Sequence, residues 1–217
     1  MKKTLCALAV MAAVVAAPQA LAHKKGDIIV RAGAAVVSPN ESSDDVILDG
    51  VGNLGEFSVD SNTQLGLTFG YMLTDNISIE VLAATPFSHK VSLDATGDIA
   101  EVEHLPPTFM LQYYFMDSSS KLRPYVGAGI NYTTFFNEEF NSTGKSVGLS
   151  DLSLDDSWGL AANVGLDYMI DDKWFVGGSI WYADISTDVT FKQDGVDKKV
   201  KTDIDPWVFM LSVGYSF

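Results

Sequence analysis

Cysteine is nearly absent from this chain of 217 residues, and the one that occurs, Cys6, lies close to the start. From residue 23 onward there is no thiol, which excludes disulfides, thiolate metal sites and a cysteine nucleophile. Histidine is also scarce, occurring only at His23, His89 and His104. These three imidazoles do not follow a metal-ligand spacing, so neither a metal nor another cofactor is expected.

Long hydrophobic runs are missing from most of the chain. The apolar run Leu5–Ala17 follows Lys2 and Lys3 and is followed by the small residues of the sequence ALA that ends at Ala22. A spanning helix needs about 20 apolar residues, so this shorter run predicts a secretory signal peptide over residues 1–22, cleaved after Ala22. No later run is long enough for a membrane helix, so insertion into a membrane must use strands.

Basic residues are few, with 14 Lys and Arg against 28 Asp and Glu. Without Lys2 and Lys3, 12 basic residues face 28 acidic ones, which gives residues 23–217 a net charge of −16. Such a chain repels the phosphates of nucleic acids, so no nucleic-acid partner is expected. The acid is concentrated in residues 41–60, 137–156 and 184–205, a pattern typical of solvated loops.

What the sequence does have is alternation of apolar and small or polar residues, most clearly in its last twelve residues, PWVFMLSVGYSF. Every second residue back from Phe217 to Trp207 is large and apolar or aromatic, while Ser212, Gly214 and Ser216 belong to the other set. This period of two predicts a strand with different surroundings on its two faces. The apolar face meets either a second sheet, in a sandwich, or lipid, in a transmembrane barrel.

The number and spacing of such stretches favour the barrel. Eight of them occur, each long enough for a tilted strand to cross a bilayer: Asp27–Val37, Thr63–Leu73, Ile77–Phe87, Leu105–Met116, Pro124–Phe136, Trp158–Ile170, Trp174–Phe191 and Val200–Phe217. Short connections alternate with mostly long ones, as in outer-membrane barrels with short periplasmic turns and long outer loops. We therefore predict an all-β fold, an eight-stranded antiparallel transmembrane β-barrel formed by residues 23–217.

Three charged residues lie at strand positions whose side chains alternate toward the barrel interior. Arg31, Glu80 and Asp167 each lie near the predicted periplasmic end of a strand. An arginine beside two acids predicts an ionic plug in the lumen. A catalytic pair of carboxylates has little support, because the arginine keeps both acids ionised.

Higher in the predicted lumen the inward residues are apolar: Leu82, Met110, Trp181, Val208 and Met210. They form either the packed core of a closed structural barrel or the lining of a hydrophobic conduit, and composition alone does not separate the two. In a conduit, Leu82 and Trp181 are the predicted constriction.

Prolines interrupt the outer ends of the third and fourth strands, at Pro86 and at Pro106-Pro107. Because proline cannot donate to a ladder, these strands are expected to be poorly joined there. The interruption is either a simple end of pairing at a loop or a gap through which an apolar molecule leaves sideways into the membrane.

His89 and His104 flank the second long loop and raise the question of a serine hydrolase, because Ser88, Asp94 and Asp98 lie near them in the sequence. Strand parity predicts His89 outward and His104 inward, and no nucleophile motif surrounds Ser88. The sequence therefore predicts a protein that is not an enzyme.

Several long blocks of the sequence are similar to the outer membrane protein W family. They are NTQLGLTFGYMLTDNISIEVLAATPFSH, GDIAEVEHLPPTFMLQYYF, RPYVGAGINYTTFF, GLSDLSLDDSWGLAANVGLDYMI and DPWVFMLSVGYSF, and the resemblance that they carry runs along essentially all of residues 23–217. The resemblance implies an eight-stranded barrel in the outer membrane of Gram-negative bacteria, with a narrow hydrophobic channel that passes small hydrophobic molecules. It also implies that Leu82 and Trp181 narrow the channel.

The partners expected on this basis are outer-membrane lipid, lipopolysaccharide, small hydrophobic solutes and the barrel-assembly machinery, which reads the strand ending in Phe217. The chain departs from the family in its loops, around Asp44 and Asp45 and around Asp194 and Lys198. The alternative function is a structural or surface-recognition barrel without transport, whose acidic loops contact phage, host or lipopolysaccharide through bridging cations.

Overall fold

Strands dominate the computed structural model, which describes residues 23–217; the predicted signal peptide lies outside the described residues. In chain order the strands are β1 (Ile28–Ser38), β2 (Ser42–Ser43), β3 (Ile47–Leu48), β4 (Gly52–Asn53), β5 (Phe57–Val59), β6 (Asn62–Met72), β7 (Ile77–Ala84), β8 (Phe87–Leu93), β9 (Gly97–Leu105), β10 (Thr108–Tyr114), β11 (Leu122–Phe140), β12 (Leu149–Leu154), β13 (Ser157–Met169), β14 (Trp174–Ala183), β15 (Ser186–Gln193), β16 (Val196–Asp203) and β17 (Trp207–Ser216). A short helix, α1 (Ser142–Ser146), precedes β12. Among the described residues, no helix is long and apolar enough to cross a membrane.

Eight of these strands close into a barrel. Their order is β1, β6, β7, β10, β11, β13, β14 and β17, and β17 returns to pair with β1. Every neighbouring pair is antiparallel. The predicted eight-stranded antiparallel barrel is confirmed, and because it is closed, none of its eight strands is an edge strand.

The outer wall of the barrel is apolar and is bounded by two belts of aromatic side chains. The upper belt contains the contacting pairs Tyr132–Trp158 and Tyr182–Trp207, and the lower belt contains Trp174, Tyr215 and Phe217. Within β13, ten residues separate Trp158 from Tyr168, and both side chains are exposed. At the rise and tilt of a barrel strand this is about 25 Å, the height of the apolar band of an outer-membrane barrel.

Above the upper belt the chain continues as strands rather than as loops. The 19-residue β11 extends past the belt and begins the sheet order β11-β9-β8-β5, while β12, β15, β16 and β2 form a second sheet. The interpretation of residues 41–60, 137–156 and 184–205 as solvated loops is therefore wrong, because much of each range lies in strands. These segments pair because their apolar side chains form a core of their own, which includes Val46, Leu48, Phe57, Leu93, Ile99, Phe140, Leu149 and Phe191.

The predicted bounds of four barrel strands need correction, because each contains a break at the level of the upper belt. Residues 174–191 divide into β14 and β15, and residues 200–217 divide into β16 and β17. Between β16 and β17, Asp205 has a φ of 41° and Pro206 has no N–H to donate, so the ladder cannot continue. Residues 77–87 and 105–116 are divided in the same way at their prolines.

Candidate functional site

The lower half of the lumen contains a buried cluster of charged side chains drawn from three strands. The Arg31 guanidinium donates to a Glu80 carboxylate oxygen and, at 2.6 Å, to Oδ2 of Asp167. All three side chains are at most 3% exposed. The structure thus brings together the three residues that sequence parity placed in the lumen, and it joins β1 to β7 and to β13 across the interior.

Neutral partners complete the hydrogen bonding of this cluster. The Arg31 guanidinium also donates to the Tyr114 hydroxyl at 2.6 Å. Glu80 accepts from the Gln112 amide at 2.7 Å and from the Thr68 hydroxyl at 3.0 Å. A buried ion pair needs such additional partners, because Coulomb attraction alone does not offset the loss of hydration.

The start of the described chain closes the lower mouth of the barrel. The His23 side chain is fully buried, with Nε2 3.0 Å from Oδ2 of Asp167 and its ring against Phe175. Arg123, also fully buried, donates to the His23 carbonyl at 2.9 Å and to the Asp75 carbonyl at 2.6 Å. The sequence indicated no role for His23 or Arg123, because these contacts join residues 48 to 144 positions apart.

An apolar layer lies above the charged cluster. Its five predicted members, Leu82, Met110, Trp181, Val208 and Met210, are buried in one cluster with Ala35, Val37, Phe87 and Ala161. Trp181 in β14 is paired with Val208 in β17, and Val208 is paired in turn with Val37 in β1. The Trp181 indole N–H donates to the Ser179 hydroxyl at 2.9 Å, so this large ring is held in one orientation.

Three apolar cavities lead from the outer sheets down to this layer. The upper cavity lies between the two outer sheets and is lined by residues such as Phe57, Ile99 and Phe140. The middle cavity shares Val91, Val102 and Ile204 with it, and is lined also by His89 and His104. The lower cavity shares His104 and Val37 with the middle one and ends at Leu82, Trp181 and Val208. The three cavities adjoin one another along shared wall residues, and this row of cavities, called the apolar passage below, stops above the charged cluster.

The three prolines lie beside this passage at the level of the upper belt. The β7–β10 ladder ends at the pair Leu82–Thr108, and pairing resumes at Phe87–His104 between β8 and β9. Pro86 and Pro106-Pro107 fall in the unpaired interval, and Pro106 lines the lower cavity. On the other side the wall is continuous, because the Tyr132 N–H donates to the Pro107 carbonyl at 3.0 Å.

His89 and His104 lie in β8 and β9, above the upper belt and outside the membrane-spanning strands. Both side chains are buried and stacked, with ring centroids 5.0 Å apart, so the prediction that His89 points outward is wrong. The break at Pro86 shifts the alternation by one residue, which turns Phe87 and His89 inward. Burial lowers the pKa of His89 and lowers that of His104 to about 3, so both imidazoles are neutral near neutral pH.

The structure does not assemble a hydrolase site from these residues. Ser88 has the opposite parity to His89 in β8, and its hydroxyl donates to the Glu101 carboxylate. Within residues 23–217, no group of three or more His, Cys, Asp or Glu side chains is placed to hold a metal ion.

Comparison with known proteins identifies the family of this barrel. The OmpW family matches residues 24–217. The chain is similar to outer membrane protein W of Vibrio cholerae serotype O1, with 60% identity over 222 residues that cover all of both proteins. It is also similar to the crystal structure of the outer membrane protein OprG from Pseudomonas aeruginosa, with 46% identity, 91% of this chain and 98% of OprG covered, and a TM-score of 0.85.

A more distant likeness is to outer membrane protein AlkL, whose structure was determined in DMPC lipid bilayers. The identity is 27%, with 93% of this chain and 95% of AlkL covered and a TM-score of 0.70. The relatives are outer membrane proteins, and they locate this protein in the outer membrane of a Gram-negative bacterium. The chain belongs to the OmpW family of outer-membrane β-barrels.

Proposed function

We propose that this protein is a passive channel through which small hydrophobic molecules enter the outer membrane. The observation that carries the proposal is the apolar passage, the row of three adjoining cavities between the outer sheets and Leu82 and Trp181. A barrel with a purely structural role has no need of such a passage. An apolar lining lets a solute move inward without contacting charged surface groups.

The charged cluster of Arg31, Glu80 and Asp167 serves as the plug at the end of this passage. A solute moving past it into the periplasm would have to separate buried ion pairs, at a cost of several kcal/mol. The unpaired interval between Pro86 and Pro106 lies above the plug and beside the lower cavity. We therefore place the exit there, sideways into the hydrocarbon layer.

The rate at which intact cells take up n-octane tests the channel. Cells that produce the protein are expected to take up n-octane faster than cells that carry an empty vector. Equal rates, with the barrel present at a normal level in the outer membrane, would contradict the proposal.

The alternative is a recognition barrel, which is favoured by the acidic and partly apolar outer surface. Ile47 and Val51 are 62% and 52% exposed in the first outer segment, close to Asp44 and Asp45. Such a surface suits contact with lipopolysaccharide or a cell-surface partner through bridging cations. Under this alternative, changes inside the lumen have no effect on binding, and n-octane uptake does not depend on the protein.

The assembly machinery is the partner proposed for the last strand. Phe217 is 68% exposed on the rim of the barrel, and its N–H donates to the Ile28 carbonyl at 2.9 Å. The same terminal residue therefore closes the barrel against β1 and presents an aromatic side chain at the lower belt.

A further inference from the structure

The His89 imidazole is held by a single hydrogen bond on one side of its ring. Its Nδ1 lies 2.6 Å from the Asp60 carbonyl oxygen. Because a carbonyl only accepts, Nδ1 must carry the hydrogen of the neutral ring. Nε2, on the other side of the ring, is therefore a lone-pair acceptor.

This acceptor nitrogen is buried and has no donor among residues 23–217. His89 is 4% exposed, and its Nε2 has no hydrogen-bond partner in the described part of the chain. A buried acceptor of this kind is unfavourable unless a donor reaches it. Its neighbour in the stack, His104, also lines the cavity and offers one ring N–H and one acceptor nitrogen.

The surroundings of the two imidazoles are otherwise apolar. The walls of the middle cavity include Val37, Val102, Phe135 and Ile185. The Thr133 hydroxyl also lines it, but it donates to the Asn131 side chain at 2.7 Å. A charged group would lose its hydration here without a counter-ion on the wall, whereas a hydroxyl on an apolar skeleton could replace its lost water hydrogen bonds with bonds to the two imidazoles.

We propose that His89 and His104 form a selectivity site for slender apolar molecules that carry one hydroxyl group, such as aliphatic alcohols and phenols. The hydroxyl donates to Nε2 of His89 and accepts from His104, while the hydrocarbon part lies against the apolar wall. This inference rests on the proposed channel function and names the class of solute that the channel favours. A hydrocarbon of the same shape enters the cavity but leaves the His89 acceptor unsatisfied.

The test compares 1-octanol with methyl octyl ether, which keeps the oxygen acceptor and removes the donor. Protein with ring-¹⁵N-labelled histidine, in detergent-free phosphatidylcholine nanodiscs, is titrated with each compound, with protein-free discs as the reference for lipid partition. We expect 1-octanol to bind about tenfold more tightly than the ether, as one buried hydrogen bond predicts. We expect it to shift the Nε2 resonance of His89, and the ether to leave that resonance in place.

Two variants locate the effect. His89→Phe keeps an aromatic ring in the stack, and we expect it to bring the alcohol-to-ether ratio close to one. Ser88→Ala, its matched control on the opposite face of β8, is expected to keep the tenfold ratio. The wild-type Nε2 measurement needs no variant, so a folding defect in His89→Phe would not remove the test.

The outcomes separate this inference from the channel proposal. If the alcohol and the ether bind equally to wild-type protein, or if the His89 Nε2 resonance does not respond to 1-octanol, the proposed selectivity site is contradicted. The proposed channel function is unaffected by either result. If neither compound binds beyond its partition into lipid, the cavity does not admit solutes and both proposals are overturned. A ratio unchanged in His89→Phe would also overturn the selectivity site.

Discussion

Single side chains decide the polarity of this barrel's interior. Parity in the sequence assigned Leu82 and Trp181 to the lumen, and both are buried at the lower end of the apolar passage. The same reasoning gave the wrong side for His89, because the break at Pro86 changes the parity of the residues after it. Alternation is therefore a reliable guide only within an unbroken strand.

A charge at the constriction is expected to stop uptake. Leu82→Asp, or Trp181→Asp, introduces a carboxylate into a narrow apolar passage, at a desolvation cost of several kcal/mol. We expect n-octane uptake by cells to fall to the level of the empty vector, while heat-modifiability shows that the barrel still assembles. Leu82→Met, which keeps volume and polarity, serves as the control and should retain uptake. Normal uptake in well-folded Leu82→Asp would favour the recognition barrel.

A second prediction at this scale concerns the enzyme alternative. Replacing His89 and His104 together by Ala is not expected to remove any hydrolytic activity, because Ser88 faces away from both rings and is bonded to Glu101. Hydrolysis of 4-nitrophenyl esters by purified wild-type and variant protein checks this. An ester hydrolysis that the wild type performs and the folded double variant lacks would contradict it.

The strands above the upper belt form the element whose structure differs most from expectation. Acid-rich segments resemble solvated loops, but here β5, β8, β9, β12 and β15 alternate polar or charged outer residues with an apolar inner set. Pairing between segments distant in the chain gives that inner set a core. This alternation is enough to predict the β8–β9 and β15–β16 hairpins. It does not predict the strands with which these hairpins pair, such as β11, β5 and β12.

The β8–β9 hairpin should open more easily in acid. The pKa of His104 is about 3 in the folded hairpin against 6.5 when exposed, so between these values the open form binds more protons and the stability of the hairpin falls as pH decreases. From pH 7 to pH 4.5 we expect a loss on the order of 2–3 kcal/mol in local opening free energy. Amide hydrogen exchange at residues 102–105, corrected for intrinsic rates, measures it. His104→Phe should remove most of the pH dependence of the opening free energy. The pH dependence that remains should come from His89, whose pKa is lowered as well.

The unpaired interval between the outer ends of β7 and β10, here called the gap, allows the proposed exit route to be tested separately. Pro86→Ala together with Pro106→Ala restores two N–H donors, which can extend the ladder toward β8 and β9. If solutes leave through this gap, n-octane uptake should fall several-fold while binding of 1-octanol in the cavity is unchanged. Pro124→Ala serves as the control, because Pro124 lies in the lower half of β11, away from the gap. This variant should leave n-octane uptake unaffected. Undiminished uptake in the double variant would contradict a lateral exit.

Across the whole molecule, the charged cluster fastens opposite walls of the barrel together. Arg31→Met leaves Glu80 and Asp167 buried without their cation, and we expect it to lower the free energy of unfolding by about 3–5 kcal/mol. Urea unfolding in lipid vesicles measures this. Adding Glu80→Gln and Asp167→Asn to the same variant removes the uncompensated charges and should restore most of the stability. No loss in the single variant would mean that the cluster does not stabilise the barrel.

The sequence by itself determined the class of the molecule: its eight alternating stretches, unequal connections and absence of long apolar runs allow a closed barrel in a membrane. It also assigned Arg31, Glu80 and Asp167 to the interior, because period-two parity is a local property of each strand. Only the tertiary structure decided which of them touch, how His23 and Arg123 close the lower mouth, and that the outer segments pair into sheets. These contacts join residues far apart in the chain, and their geometry follows from strand register and closure, which no local pattern of residues specifies.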